Sequence, residues 1–262
     1  MLFRSPETPD LAVSQSNGIN AVGFVFGTIL VGTLASFGIS WRAGLLLCVP
    51  AAIALYVYGR DKIIDNHDAD APRQSGKLNI KFWIAWFGFF TTISSEFSTS
   101  FWSAALLSDR TNASAAFSTL CVAALGTGFG IGRWFIPIWM RKTTLDVRLK
   151  SILTIQFVSF MLFWLSHNLV FSLIMLLFVG IGISGQFPMT MVRLMKLSEG
   201  KPDLAMGKAA YAAGAAIALA PFLLGFFGDH IGISKAYLMV PVLIALSFGA
   251  ILLSSLQEPK QR

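Results

Sequence analysis

Glu96 has the strongest claim to chemistry in this sequence. It lies in Thr91-Thr92-Ile93-Ser94-Ser95-Glu96-Phe97-Ser98-Thr99-Ser100, where eight of ten residues are polar, inside an otherwise apolar stretch. Thr92, Glu96, Thr99 and Ser103 share one face at helical spacing. A carboxylate at bilayer depth costs on the order of 3 kcal/mol on insertion scales, so such a group faces a cavity or a partner. Two readings follow: a proton-titrating or solute-binding carboxylate, or an interhelical hydrogen bond that only fixes packing.

Arg133 is the second charge within an apolar stretch, near that stretch's end. At ~1.5 Å rise per residue the two charges are expected at different depths, so no direct ion pair is expected. Arg133 would snorkel to the interface or stabilise a gate. Just before it, Gly126, Gly128, Gly130 and Gly132 alternate with apolar residues and Thr127. A dinucleotide fingerprint needs a strand before it and an acidic residue after it, and here there is neither. The pairs Gly126/Gly130 and Gly128/Gly132 instead form overlapping small faces for close helix approach. Pro50, Pro137, Pro188, Pro221 and Pro241 lie within or at the ends of apolar stretches, where each frees a carbonyl. Gln186, just before Phe187-Pro188, and Tyr211 are weaker cavity candidates. Gln156 and Asn20 are polar but neutral.

Enzyme chemistry finds little support. There is no His-Glu-x-x-His, and His67, His167 and His230 are scattered, so no metal site is expected. Gly182-Ile183-Ser184-Gly185 matches a short intramembrane-protease motif, yet His230 is poorly placed as its base. Cys48 and Cys121 have apolar neighbours and read as inert. No nucleotide motif and no cofactor signature are present.

These residues must be positioned by helices. The chain has 262 residues, 55% hydrophobic and 13% charged, with 23 Phe and 7 Trp. A soluble domain carries about 25% charged residues. Disorder and a disulfide scaffold are excluded by the same composition and by the two cysteines. The net charge of +7 matters here through its position rather than as a nucleic-acid signal, and no nucleic-acid partner is expected. The reading is an all-α, polytopic membrane helix bundle.

A span needs ~20 apolar residues. Eight stretches qualify: Asn17 to Gly38, Trp41 to Gly59, Lys81 to Leu107, Ala113 to Ile138, Arg148 to Ser166, Leu169 to Val192, Met206 to Gly228 and Ser234 to Ser255. The acidic, Pro- and Gly-containing segment 60–80 is a solvated linker. It divides the chain into 1–59, with two spans, and 81–262, with six and a tail. With eight spans, 16 of the 20 basic residues fall on the side of the termini and the linker, and Arg42, Arg110 and Lys235 on the other. That asymmetry places both termini in the cytoplasm and the protein in the cytoplasmic membrane.

Ser95-Glu96-Phe97-Ser98, Phe101-Trp102, Leu106-Leu107, Thr111, Ala115, Gly128 and Gly132-Arg133 resemble the seventh and eighth helices of the major facilitator superfamily, in its sugar-permease-like bacterial branch. Asp203-Leu204-Ala205 and Gly228-Asp229-His230-Ile231-Gly232 resemble the start and end of its eleventh. The third to eighth spans match that family's C-terminal half, and the first two its fifth and sixth helices. Pro137, Trp139 and Met140 depart from the family's loop motif. The first four of twelve helices have no counterpart, which implies a truncated copy, missing helices or a homo-oligomer. The resemblance implies a secondary transporter that moves a small solute by alternating access. Glu96, Thr92, Thr99, Ser103, Gln186 and Tyr211 would bind solute or couple a proton, and Arg133, Gly128 and Gly132 would gate. The alternatives are a non-transporting membrane scaffold or partner subunit and, less favoured, an intramembrane hydrolase.

Overall fold

The computed structural model describes residues 23, 25–27, 29–34, 37–40, 42–46, 48–60, 74–111 and 115–256. All regular structure among them is helical. The helices are α1 (Val25–Leu34), α2 (Arg42–Leu46), α3 (Cys48–Gly59), α4 (Ile80–Thr111), α5 (Ala115–Trp139), α6 (Leu145–Leu165), α7 (Leu169–Ile183), α8 (Gln186–Lys196), α9 (Pro202–Ile231), α10 (Ile233–Ala236) and α11 (Met239–Leu253). Of the first expected span, 17–38, the described residues include α1, and most of the linker 60–80 lies outside the described residues.

Six segments are long and apolar enough to cross a membrane: Arg42–Gly59, Leu120–Trp139, Leu145–Leu165, Leu169–Lys196, Pro202–Ile231 and Ile233–Leu253. Helix α4, at 32 residues, is long enough as well. Its hydropathy is lowered by the polar stretch around Glu96. Several helices overrun the expected spans, because hydrogen bonding and caps end a helix whereas hydropathy marks only its buried part. Asn79 Oδ1 accepts from Phe82 N at 2.7 Å and so caps α4. Thr144 caps α6, Asn168 Oδ1 caps α7 through Phe171 N at 3.0 Å, and Pro202 opens α9 at a position that needs no donor.

Two expected single spans are broken. The sixth divides into α7 and α8 at Ser184-Gly185. Pro188 has no N–H for the Ser184 carbonyl four residues earlier, and Gly182 and Gly185 weaken the helix beside it. The eighth divides into α10 and α11 at Tyr237-Leu238, where Pro241 cannot bond the Tyr237 carbonyl, which accepts from Val240 N at 3.0 Å instead.

Two apolar clusters hold the bundle. One joins α5, α6, α7 and α11 through Leu125, Phe160, Leu176 and Ile244, among others. The other joins α4 and α9. Along α9, Ala205, Ala209, Ala212, Ala216 and Ala220 form one small-residue stripe, which brings its backbone close to α4. Two indoles pin that seam: Trp86 Nε1 donates to Lys208 O at 2.8 Å, and Trp102 Nε1 donates to Pro221 O at 3.0 Å. Trp102 also packs against Gly225, where any side chain would collide with the ring. Helices α2 and α3 together make up the apolar segment Arg42–Gly59.

Candidate functional site

The glycines of α5 come first in building the site. A methyl on Gly128 would run into Leu177 O and Gly180 of α7, and one on Gly132 would run into the Ser184 side chain. Gly180 meets the Leu125 backbone from the other side. Glycine on both faces therefore lets the α5 and α7 backbones touch. That contact carries Arg133 to the break in α7–α8. Its Nε donates to Ser184 O at 3.2 Å, the carbonyl that Pro188 cannot satisfy. Its guanidinium also lies 5.4 Å from the Phe129 ring centroid.

Glu96 lies at the middle of α4, which packs beside α5. From Glu96 to Thr111 is about 22 Å along α4, and from Ala115 to Arg133 about 27 Å back along α5, at 1.5 Å per residue. The difference of about 5 Å is within the reach of an arginine side chain. Both residues are half-buried.

The other members of the expected α4 face sit in the packed interior. Thr92 Oγ1 donates to Gly88 O at 2.8 Å and lies 2.5 Å from Ser247 Oγ of α11. Thr99 Oγ1 donates to Ser95 O at 2.7 Å. Ser103 is fully buried, and its hydroxyl has no partner among the described residues. Gln186 is fully buried as well. Its Nε2 donates to Gln156 Oε1 at 2.7 Å and to Gly182 O at 2.8 Å, and its Oε1 is without a partner. Gln156 Nε2 donates to Ser95 Oγ at 3.2 Å. A polar seam thus runs from α8 through α6 to α4. Its centre, Gln156, was no more than a neutral polar residue by sequence. Close packing explains it: Gly182 leaves 2.6 Å between a would-be side chain and Gln156 N. Tyr211 does not join this group. It is 76% exposed, on the side of α9 opposite the alanine stripe.

Ser184 Oγ donates to Ile181 O at 2.7 Å, an ordinary helix-end bond, and His230 Nδ1 contacts Phe226 O of its own helix at 2.7 Å. Neither holds the other as a nucleophile–base pair would.

Sequence reasoning missed a second charged centre. Arg193, counted as a cation of the segment after the sixth span, lies in the last turn of α8 and is only 2% exposed. Its Nε bonds Asp146 Oδ1 at 2.9 Å. Nη1 donates to Ser254 Oγ at 2.9 Å, and Nη2 to Ile251 O at 3.1 Å and Ser254 O at 2.5 Å. Asp146 Oδ2 accepts from Leu256 N at 2.9 Å. This cluster ties the start of α6 and the end of α8 to the exit of α11, whose carbonyls gain a cation. It lies at the linker end of the bundle, where the linker margin also docks: Asn79 Nδ2 donates to Glu199 Oε1 at 2.6 Å and Lys201 Nζ to Lys77 O at 3.0 Å.

An all-helical bundle with a carboxylate at the middle of α4 and an arginine bonded to a broken helix narrows the families available. The family model of the Major Facilitator Superfamily matches residues 5–207. The chain belongs to the Major Facilitator Superfamily. Among solved structures, a variant of the E. coli fucose:proton symporter FucP is similar with a TM-score of 0.73 at 15% identity, over 97% of this chain and 71% of that one. FucP in the outward conformation matches with a TM-score of 0.72 at 14% identity, over 97% and 70%. At these identities the likeness is one of fold. No curated protein matches. As a member of the Major Facilitator Superfamily with membrane-spanning helices, the chain is a multi-pass membrane transporter.

Proposed function

We propose that the chain is a proton-coupled secondary transporter of a small polar solute, with Glu96 as the proton-carrying group and Arg133 as its counter-charge. The observation that carries this reading is the placement of Arg133. Its Nε donates to Ser184 O at the α7–α8 break, and α5, which carries it, packs against α4, which carries Glu96. Ionised Glu96 draws the guanidinium toward α4. Protonated Glu96 releases it to the carbonyl end of α7, where a cation is favoured. A proton then changes which helix Arg133 holds, and the break in α7–α8 gives that exchange somewhere to act. Alternating access rocks two bundles about a midplane site. Residues 81–262 form one bundle, the segment 1–59 contributes to the other, and 60–80 links them. The basic side with the linker faces the cytoplasm of a cytoplasmic membrane. The symporter named above moves fucose with protons, and a sugar-like solute is the first class to test.

The test is uptake by proteoliposomes under an imposed proton gradient, over a panel of neutral sugars and small polar metabolites. Glu96→Gln is expected to abolish gradient-driven uptake while solute exchange persists. Unchanged uptake at every pH overturns the role of Glu96. One observation favours the second reading, a non-transporting scaffold: Thr92 and Thr99 direct their hydroxyls into packing rather than toward a path. Neither uptake nor exchange of any solute by the intact chain would favour it.

A further inference from the structure

We propose that the groove between α6 and α11 binds one anionic phospholipid of the surrounding bilayer. The groove holds about 270 Å³ and is lined by Leu153, Thr154 and Phe157 of α6 and by Ile244, Ala245 and Phe248 of α11. That is below the ~300–1,000 Å³ of pockets that enclose small ligands. Both walls belong to segments apolar enough to span the membrane, so the groove opens to lipid. Its one polar side chain, Thr154, donates to Lys150 O at 2.8 Å. Nothing polar is left for a soluble ligand to satisfy, and an acyl chain fits the lining.

The charge comes from the same stripe. Lys150, Leu153, Thr154 and Phe157 follow i, i+3, i+4, i+7 spacing, so Lys150 heads the α6 wall. It lies about one turn nearer the linker end than the groove, near the start of α6. A lysine there extends its ammonium toward the interface, where a phosphate stands above the acyl chains. The nearest carboxylate on its own helix, Asp146, is engaged by Arg193 and Leu256 N and leaves Lys150 to the lipid.

The experiment is native mass spectrometry of the purified full chain after exchange into phosphatidylglycerol or phosphatidylcholine with the same acyl chains. Retention of one phosphatidylglycerol over phosphatidylcholine by about fivefold is expected, the equivalent of the ~1 kcal/mol that one basic residue gains near an anionic surface. Lys150→Gln should remove the preference but leave an acyl-bound lipid. Ala245→Trp, which fills the groove, should displace both lipids, and Leu162→Trp, on the exposed part of α6 outside the groove, should displace neither. Equal retention of the two lipids by the unmodified chain overturns the proposal. So does a preference that survives Lys150→Gln, or retention that survives Ala245→Trp.

Discussion

Removing the Asp146 carboxylate should destabilise the bundle far more than an ion pair at a protein surface would. Arg193 is 2% exposed and directs four hydrogen bonds to Asp146, Ser254 and Ile251. Asp146→Ala leaves its guanidinium buried without a counter-charge, which costs about 3–5 kcal/mol. It also deprives Leu256 N of its acceptor, a further ~1–3 kcal/mol if that donor stays dry. Arg193→Met strands the carboxylate in the same way. The double variant Asp146→Ala/Arg193→Met removes both charges, and it should recover most of the loss, because an apolar replacement of a buried pair is often neutral or better. The assay is reversible unfolding of the purified chain in mixed micelles, followed by tryptophan fluorescence across all four members of the cycle. A coupling energy of several kcal/mol is expected. Two results would refute the reasoning: a single variant within about 1 kcal/mol of the parent, as for an exposed pair, or a double variant as unstable as the sum of the singles.

Three more perturbations test the packing that positions the site. Gly132→Ala places a methyl against Ser184 and 2.9 Å from Ile181 O. It should cost about 1–3 kcal/mol by overpacking and lower uptake, whereas Gly207→Ala, open at its Cβ, should be neutral or gain up to about 1 kcal/mol; thermal melts of the pair give the contrast. Pro188→Ala supplies the N–H that Ser184 O lacks, so hydrogen exchange should show a protected amide at 188, with uptake reduced as Arg133 loses its acceptor. Trp102→Phe keeps a ring against Gly225 but removes the bond to Pro221 O. It should cost about 0.5–1.5 kcal/mol, and a melting temperature unchanged from the parent would count against that pin.

The membrane fold and its helical elements were legible because span length and hydropathy are properties of the chain taken one segment at a time. Glu96 was legible for the same reason, since a carboxylate within an apolar stretch stands out without knowledge of its neighbours. The pairing of helices was not. Arg193 looked like one more basic residue at a span's end, because nothing local to Met191-Val192-Arg193 reveals that the start of α6 brings Asp146 to it. Nor could the breaks be located from proline alone, because Pro137 and Pro221 lie inside continuous helices while Pro188 and Pro241 stand beside breaks.

The hydroxyl face of α4 shows how the unread part bears on mechanism. Spacing correctly aligns Thr92, Glu96, Thr99 and Ser103, yet alignment says nothing of where each proton goes. Threonine inside a helix readily donates to the carbonyl four residues back, and Thr92 and Thr99 both do so. Ser103 is fully buried. Of the four, Glu96 is the half-buried member, and the neighbouring helix α5 carries Arg133 to the α7–α8 break. In the proposed mechanism, therefore, proton binding and helix movement converge on the Glu96–Arg133 pair, while the neighbouring hydroxyls hold α4 in register. Replacing Thr92 with valine should then alter stability through the lost Ser247 contact and leave the pH dependence of uptake unchanged, whereas Glu96→Gln should abolish that dependence. Uptake measured across pH for the two variants separates the roles: a shifted pH profile in Thr92→Val would place the hydroxyl face in the proton path and refute this division.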